Sequence, residues 1–125
     1  MEYIYHLPRL VERGATAIDI GANLGYYSRP LSSLVGEEGR VYSVEPVPVI
    51  FSVLERNMSG RRNATLLNYA LGEEQCLVDM VNDTVAEVGY FGTGRNAIKQ
   101  GESSEQAIHF SAEMRRGSEL FASLD

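Results

Sequence analysis

The chain has 125 residues, enough for one domain, and its 44% apolar content can build a core. A net charge of −6, with Lys99 the only lysine, argues against nucleic acid as the main partner, because phosphate binding needs a basic footprint; only a local arginine patch escapes that argument. No apolar run approaches the roughly 20 residues of a membrane helix, and Glu2, His6 and Arg9 near the start exclude a signal peptide, so a soluble, cytoplasmic protein is the default expectation.

Tyr3, Ile4, Leu7, Leu10 and Val11 fall at helical spacing and predict an N-terminal helix within 1–13, interrupted or started late at Pro8 and stopped by Gly14. It could cap a sheet edge or cover a ligand. Residues 15–20 are apolar except for Thr16 and Asp19, which fits a strand buried on both faces of a parallel sheet. The turn Gly21-Ala22-Asn23-Leu24-Gly25 follows. Helical spacing resumes after Gly25, with Leu24, Tyr27, Leu31, Leu34 and Val35 on one face. Pro30 requires that this helix start late or bend, and Gly36 and Gly39 close it.

A second strand is predicted over 40–45. Pro46 and Pro48 end it and open a helix over about 49–58, with Ile50, Val53, Leu54 and Met58 as its buried stripe. A polar turn at 60–63 leads to a third strand over 64–69, followed by Ala70-Leu71-Gly72. Strand and helix alternate as in a parallel sheet with right-handed crossovers. Beyond it the pattern changes. A strand is expected over 75–81, and a polar, glycine-bearing mobile loop over 82–106. A strand over 108–114 is expected to pair with 77–81, and a short helix over 118–124. Cys76, in an apolar run, reads as a buried, reduced thiol.

Chemistry concentrates at the turn after the first strand. Gly21 and Gly25 permit backbone conformations and close approaches that a side chain would block. The helix that follows offers free amide donors and a positive dipole end, where a carboxylate can sit. Asp19, just before the turn, can accept hydrogen bonds from an ammonium. Glu45 ends the adjacent parallel strand, and a single carboxylate accepts well from two vicinal ribose hydroxyls. An amino acid at one end and a ribonucleoside at the other describes S-adenosylmethionine. A dinucleotide is the nearest competitor. Its Gly-x-Gly-x-x-Gly fingerprint is not matched, since Asn23 stands where the second glycine would be, and Asp19 would face a pyrophosphate with like charge.

The segments 18–28 (Ile-Asp-Ile-Gly-Ala-Asn-Leu-Gly-Tyr-Tyr-Ser), 39–46 (Gly-Arg-Val-Tyr-Ser-Val-Glu-Pro) and 68–72 (Asn-Tyr-Ala-Leu-Gly) resemble, in this order, the FkbM family of class I methyltransferases. The likeness covers about residues 14–81. It implies an α/β fold with a Rossmann-like, three-layer α/β/α sheet, S-adenosylmethionine as cofactor, and usually O-methylation of a small molecule or sugar. On that pattern Asp19, Gly21, Ala22, Asn23 and Gly25 hold the methionine part, Glu45 holds the ribose, and Asn68, Ala70 and Leu71 lie near the adenine. For the last three, a plain strand end and its turn is an equal alternative.

The family continues into a further buried strand with an Asp-x-Glu-Gly-like motif that has no counterpart here. The expectation is therefore a single domain over 1–125 that holds the cofactor-binding part, truncated after the first strands, with a C-terminal hairpin-like extension. Without the family's fourth strand, strand 15–20 would be an apolar edge. Such an edge predicts self-association, covering by residues 106–124, or poor solubility.

Other residues carry less. Neither His6 nor His109 has a metal-ligand neighbour at useful spacing, and His109 reads as a strand-surface residue. Asp79, Asp83 and Glu87 do not make a metal loop, so no metal is expected. Arg61-Arg62 and Arg115-Arg116 read as solvated turn charges. Tyr26 and Tyr90-Phe91 could frame a substrate, whereas Tyr27 suits the core. No general base or catalytic residue can be named. Methyl transfer can proceed without a protein nucleophile, because the sulfonium is already an activated donor and alignment supplies rate. The leading expectation is an S-adenosylmethionine-dependent methyltransferase acting on a small-molecule or sugar oxygen, with neither nucleic acid nor membrane as partner. A non-catalytic binding module comes second and a dinucleotide-binding oxidoreductase fragment third.

Overall fold

Three short strands form the parallel sheet that the alternating pattern predicts: β1 (Thr16–Ile20), β2 (Arg40–Val44) and β3 (Ala64–Leu67), in the order β1-β2-β3. A computed structural model describes residues 2–82, 94–102, 105 and 107–124. The chain divides into two compact units, Met1–Glu45 with Val49–Leu67, and Pro46–Pro48 with Asn68–Asp125.

In the first unit a 3-10 turn (Glu2–His6) runs into the one-turn helix α1 (Leu7–Leu10), with Pro8 in its first positions, where a missing N–H leaves no hydrogen bond unmade. Helix α2 (Ser28–Val35) starts later than Gly25, and this places Pro30 in its first turn without a bend. Helix α3 (Pro48–Asn57) opens on Pro48 for the same reason. Leu31 and Val35 of α2 pack on Val41 of β2, with Ala17, Tyr27, Leu7 and Val11 around them. Leu54 and Met58 pack beneath Ala22, beside Phe51, Ala64 and Leu66.

The expectation that β1 is buried on both faces is corrected. Its burial alternates: Ala17 and Asp19 are half-buried, whereas Ile18 is 48% and Ile20 66% exposed. Side chains on a strand point to opposite faces with a period of two. The core residues pack on the face that Ala17 shares, and Thr16, Ile18 and Ile20 lie on the other. β1 is also an edge, hydrogen-bonded to β2 alone within its sheet.

The second unit holds a four-stranded sheet in the order β4-β7-β5-β6, built from β4 (Ala70–Gly72), β5 (Cys76–Asn82), β6 (Ala97–Ile98) and β7 (Ile108–Arg116), with helix α4 (Gly117–Ala122) after it. The expected pairing of the last long strand is present: β7 runs antiparallel to β5, from Cys76↔Met114 to Asn82↔Ile108. β3 ends at Leu67 rather than at residue 69. Ala70-Leu71-Gly72 becomes a strand of its own, parallel to the end of β7. β6 is a short strand inside the stretch expected as loop. The other readings for that stretch, at Asp83, Glu87, Tyr90 and Phe91, fall outside the described residues.

Three further expectations change. Cys76 is exposed, because burial along β5 concentrates at Met80, Val81 and Asn82 and leaves the strand's first residues outside. Arg115 and Arg116 end β7 rather than occupying a turn. The Arg115 guanidinium lies 4.1 Å from the centre of the Tyr69 ring and 2.8 Å from Glu113 Oε1. Arg61 is tied to hydroxyl groups, as described below. His109 does lie on the strand surface, with Nδ1 3.1 Å from Asp79 Oδ2. Among the described residues no helix is long and apolar enough to cross a membrane, and no group of His, Cys, Asp and Glu could hold a metal ion.

Leu54 is fully buried beneath the turn that follows β1. Leu54→Ala is expected to destabilise the chain by about 2–5 kcal/mol through lost transfer energy and the cavity left behind, read as a lowered urea midpoint.

Candidate functional site

The register of β1 and β2 builds the site. In a parallel pair, opposite residues point the same way, so Ala17 with Val41 forms an apolar layer and Asp19 with Ser43 a polar one, two residues nearer the strands' C-terminal ends. Ser28, the first residue of α2, packs over that second layer. Its Oγ–H donates to Asp19 Oδ2 at 2.6 Å, and Ser43 Oγ–H donates to Ser28 Oγ at 2.7 Å. Both serines are buried. Burial raises the Asp19 carboxyl above its ordinary range, and the hydrogen bonds from Ser28 offset part of that rise.

The turn that follows is an alternation of left-handed residues: Gly21 at φ +75°, Asn23 at +53° and Gly25 at +92°. A Cβ at Gly25 would stand 3.1 Å from Leu54 Cδ1, so this glycine lets the turn rest on the core. A Cβ at Gly21 would meet nothing within 4 Å, so the backbone there borders open space. Asn57 Nδ2 donates to the Leu24 carbonyl at 2.7 Å and ties the turn to α3. A cleft of about 480 Å³ lies alongside, bordered by Leu24, Gly25, Tyr26 and Pro30.

Three successive turn amides are spent on the end of β2. The N–H groups of Gly21 and Ala22 both donate to the Val44 carbonyl at 2.9 Å, and that of Asn23 donates to Glu45 Oε2 at 2.9 Å. The Gly25 N–H donates to the Ala22 carbonyl. At the start of α2, Arg29 N–H and Leu31 N–H are paired as well. The expectation of a turn and helix start offering free amides to an anion is therefore corrected for these groups. Beside these groups the side chains bring acceptor oxygens. Asp19 contributes a half-buried carboxylate and Glu45 one that is only 5% exposed, while Asn23 Oδ1 is buried with no hydrogen-bond partner. Such an arrangement suits a ligand that brings donors and positive charge.

Asp19, Gly21, Asn23, Gly25 and Glu45 thus come together at the C-terminal ends of β1 and β2. Ala22 is there too, but its methyl packs into the core against Leu54 and Met58, so only its backbone borders the turn. Asn68, Ala70 and Leu71 belong to the second unit. There Asn68 Nδ2 donates to the Pro46 carbonyl at 3.1 Å, and Ala70 and Leu71 pair with Met114 and Arg115. Sequence reasoning missed Ser28, Ser43 and Asn57. Ser43 was recoverable by aligning the two strands, whereas Ser28 and Asn57 depend on where the helices lie.

The Methyltransferase FkbM domain matches the chain over residues 19–121. Over 60 residues the chain is 32% identical to the protein-L-isoaspartate O-methyltransferase of Methanococcoides burtonii, which covers 46% of this chain and 30% of that protein. The protein of the same description from Methanothrix thermoacetophila is 33% identical over 52 residues, covering 42% and 25%. The chain therefore matches less than a third of the length of these curated relatives. Among solved structures, a putative rRNA-methylase from Clostridium thermocellum superposes with a TM-score of 0.50 at 23% identity, covering 54% of this chain and 38% of that one, and shares its fold.

The raised Asp19 carboxyl sets a pH dependence. The folded protein holds this proton more tightly than the unfolded chain, so its contribution to stability is present at and below the ordinary carboxylate range and is lost as pH rises through the raised value. Asp19→Asn keeps an acceptor for Ser28 and removes the titration. Its urea midpoint is expected to fall less than that of the parent chain between pH 4 and pH 7.

Proposed function

The chain belongs to the FkbM methyltransferase domain family, and on that premise we propose that its acid–glycine turn binds S-adenosylmethionine for methyl transfer to an oxygen of a small molecule or sugar. The observation that carries this reading is a turn whose amides at 21, 22, 23 and 25 are already paired while the buried Asn23 Oδ1 beside them has no donor. A pyrophosphate would need those amides and would meet two carboxylates, which disfavours the dinucleotide alternative. An ammonium and a sulfonium are cations, and a ribose diol is a pair of donors. All three suit carboxylates and a buried amide oxygen.

The residues fit that cofactor. Asp19, held in place by Ser28, faces the ammonium, and Asn23 Oδ1 supplies an acceptor that otherwise lacks a donor. The open space beside Gly21 lets a ligand approach the backbone. Glu45, anchored through Asn23 N–H, takes the ribose hydroxyls. Once bound, the cofactor supplies a methyl group already activated on sulfur. The chain's own part is to bind and orient it, and to exclude water from the polar layer under the turn. Turnover by this chain is part of the proposal, because the relatives it matches are three to four times longer than the matched segments.

Calorimetric titration tests the reading. S-Adenosylmethionine and S-adenosylhomocysteine are expected to bind and NAD is not. Each of Asp19→Ala and Glu45→Ala is expected to weaken binding by about tenfold or more, the cost of one lost hydrogen bond to a charged group. Glu45→Gln retains an acceptor for Asn23 N–H and should lose less. Binding of NAD alone would overturn the reading. Binding without methylation across a panel of hydroxyl acceptors would leave a binding module.

A further inference from the structure

At the other end of the same parallel sheet lies a second concavity, of about 1040 Å³, and its walls have the opposite chemistry. Four of the chain's eleven lysines and arginines line it: Arg13 before β1, Arg40 at the start of β2, and Arg61 and Arg62 before β3. Among the described residues none of the four forms an ion pair. Arg13 and Arg62 have no hydrogen-bond partner either, and Arg40 reaches only the neighbouring Gly39 carbonyl, at 3.5 Å.

In a chain of net charge −6, four arginines that form no ion pair among the described residues concentrate positive charge around one hollow. The acids at this end, Glu37 and Glu38, line the same hollow without pairing with any of the four. The hollow is also built. Asn63 holds the wall together, accepting from Ser32 Oγ–H at 2.7 Å and donating to the carbonyls of Ser32 and Gly36 at 2.8 Å. Arg61 is half-buried and pre-oriented, with Nη1 3.0 Å from Ser33 Oγ and 3.3 Å from Ser32 Oγ. The Arg13 guanidinium lies over Gly36, where a Cβ would come within 3.0 Å of it. Guanidinium forks brought to one hollow from the segment before β1, the start of β2 and the segment before β3 match phosphate oxygens, which accept in pairs.

We propose that this hollow binds a small molecule carrying two or more linked phosphoryl groups. A single phosphate would engage only part of a wall with four guanidinium groups. A long polyanion such as RNA would have to extend past Glu37 and Glu38 onto a surface of net negative charge, whereas a short phosphate chain stays inside the hollow. The site is independent of the methyl-donor reading. It uses none of the same residues, and its ligand has the opposite charge.

The test is titration of the full chain with inorganic tripolyphosphate at low and high salt, beside orthophosphate and a single-stranded RNA oligonucleotide. Tripolyphosphate is expected to bind more tightly than orthophosphate, and its affinity should fall as salt rises. Arg13→Ala/Arg62→Ala, which removes two exposed side chains without partners, is expected to weaken that binding by roughly tenfold or more while leaving the urea midpoint in place. Arg61→Ala should weaken it too, and Arg61→Lys should restore only part. No tripolyphosphate binding, or binding that the double variant leaves unchanged, would overturn the proposal. RNA binding in preference to tripolyphosphate would also overturn it and assign the hollow to nucleic acid instead.

Discussion

Three consecutive amide groups, those of Gly21, Ala22 and Asn23, hold the turn after β1 to the end of β2. The candidate site depends on that constraint. Parallel strands are joined by even, slanted hydrogen bonds that normally stop where the strands stop. Here the ladder runs one step further, through the Val44 carbonyl, and then passes to a side chain, Glu45. The chain can follow this path only by entering left-handed backbone at residues 21, 23 and 25. Glycine at the first and last of these removes most of the steric cost, and asparagine tolerates the middle one.

Spending these donors decides what the turn can bind. A glycine turn before a helix is commonly read as an anion cradle because its amides are free. In this chain the amides at 21, 22, 23 and 25 are committed internally, and the side chains gathered beside them, Asp19, Asn23 and Glu45, offer acceptor oxygens. Beneath them, the chain of hydroxyls from Ser43 through Ser28 fixes one oxygen of Asp19. This restricts the rotation of the carboxylate.

The two ends of the sheet are chemically opposite. β1 spans five residues, about 16 Å at strand rise, and separates an acceptor-rich turn from a hollow lined by arginines. Most of these residues lie in connections or at strand ends, such as Asp19 near the end of β1 and Arg40 at the start of β2, where side chains can change with less disturbance to the core. The net negative charge of the whole chain conceals this division. Basic groups that a count disperses over the sequence are gathered by the three connections that enter the N-terminal ends of β1, β2 and β3.

Much of this was legible in the sequence. Apolar runs and glycine–proline punctuation placed β1, β2, β3, α3, β5 and β7 to within a few residues. The motif residues Asp19, Gly21, Asn23, Gly25 and Glu45 do gather at one end of the sheet, because strand order puts the ends of adjacent parallel strands side by side. Periodicity describes local chain geometry, and local geometry is what these readings needed. The tertiary structure decided the rest. It left one face of β1 exposed, since burial depends on what packs opposite and not on the strand's own apolarity. It put Cys76 outside and Ala22's methyl inside. It consumed the amides of Gly21, Ala22 and Asn23 through partners 22 or more residues away, and it brought Arg13, Arg40 and Arg61-Arg62 to one hollow. Each of these outcomes is set by contacts between residues distant in the chain, and no pattern within a single segment encodes them.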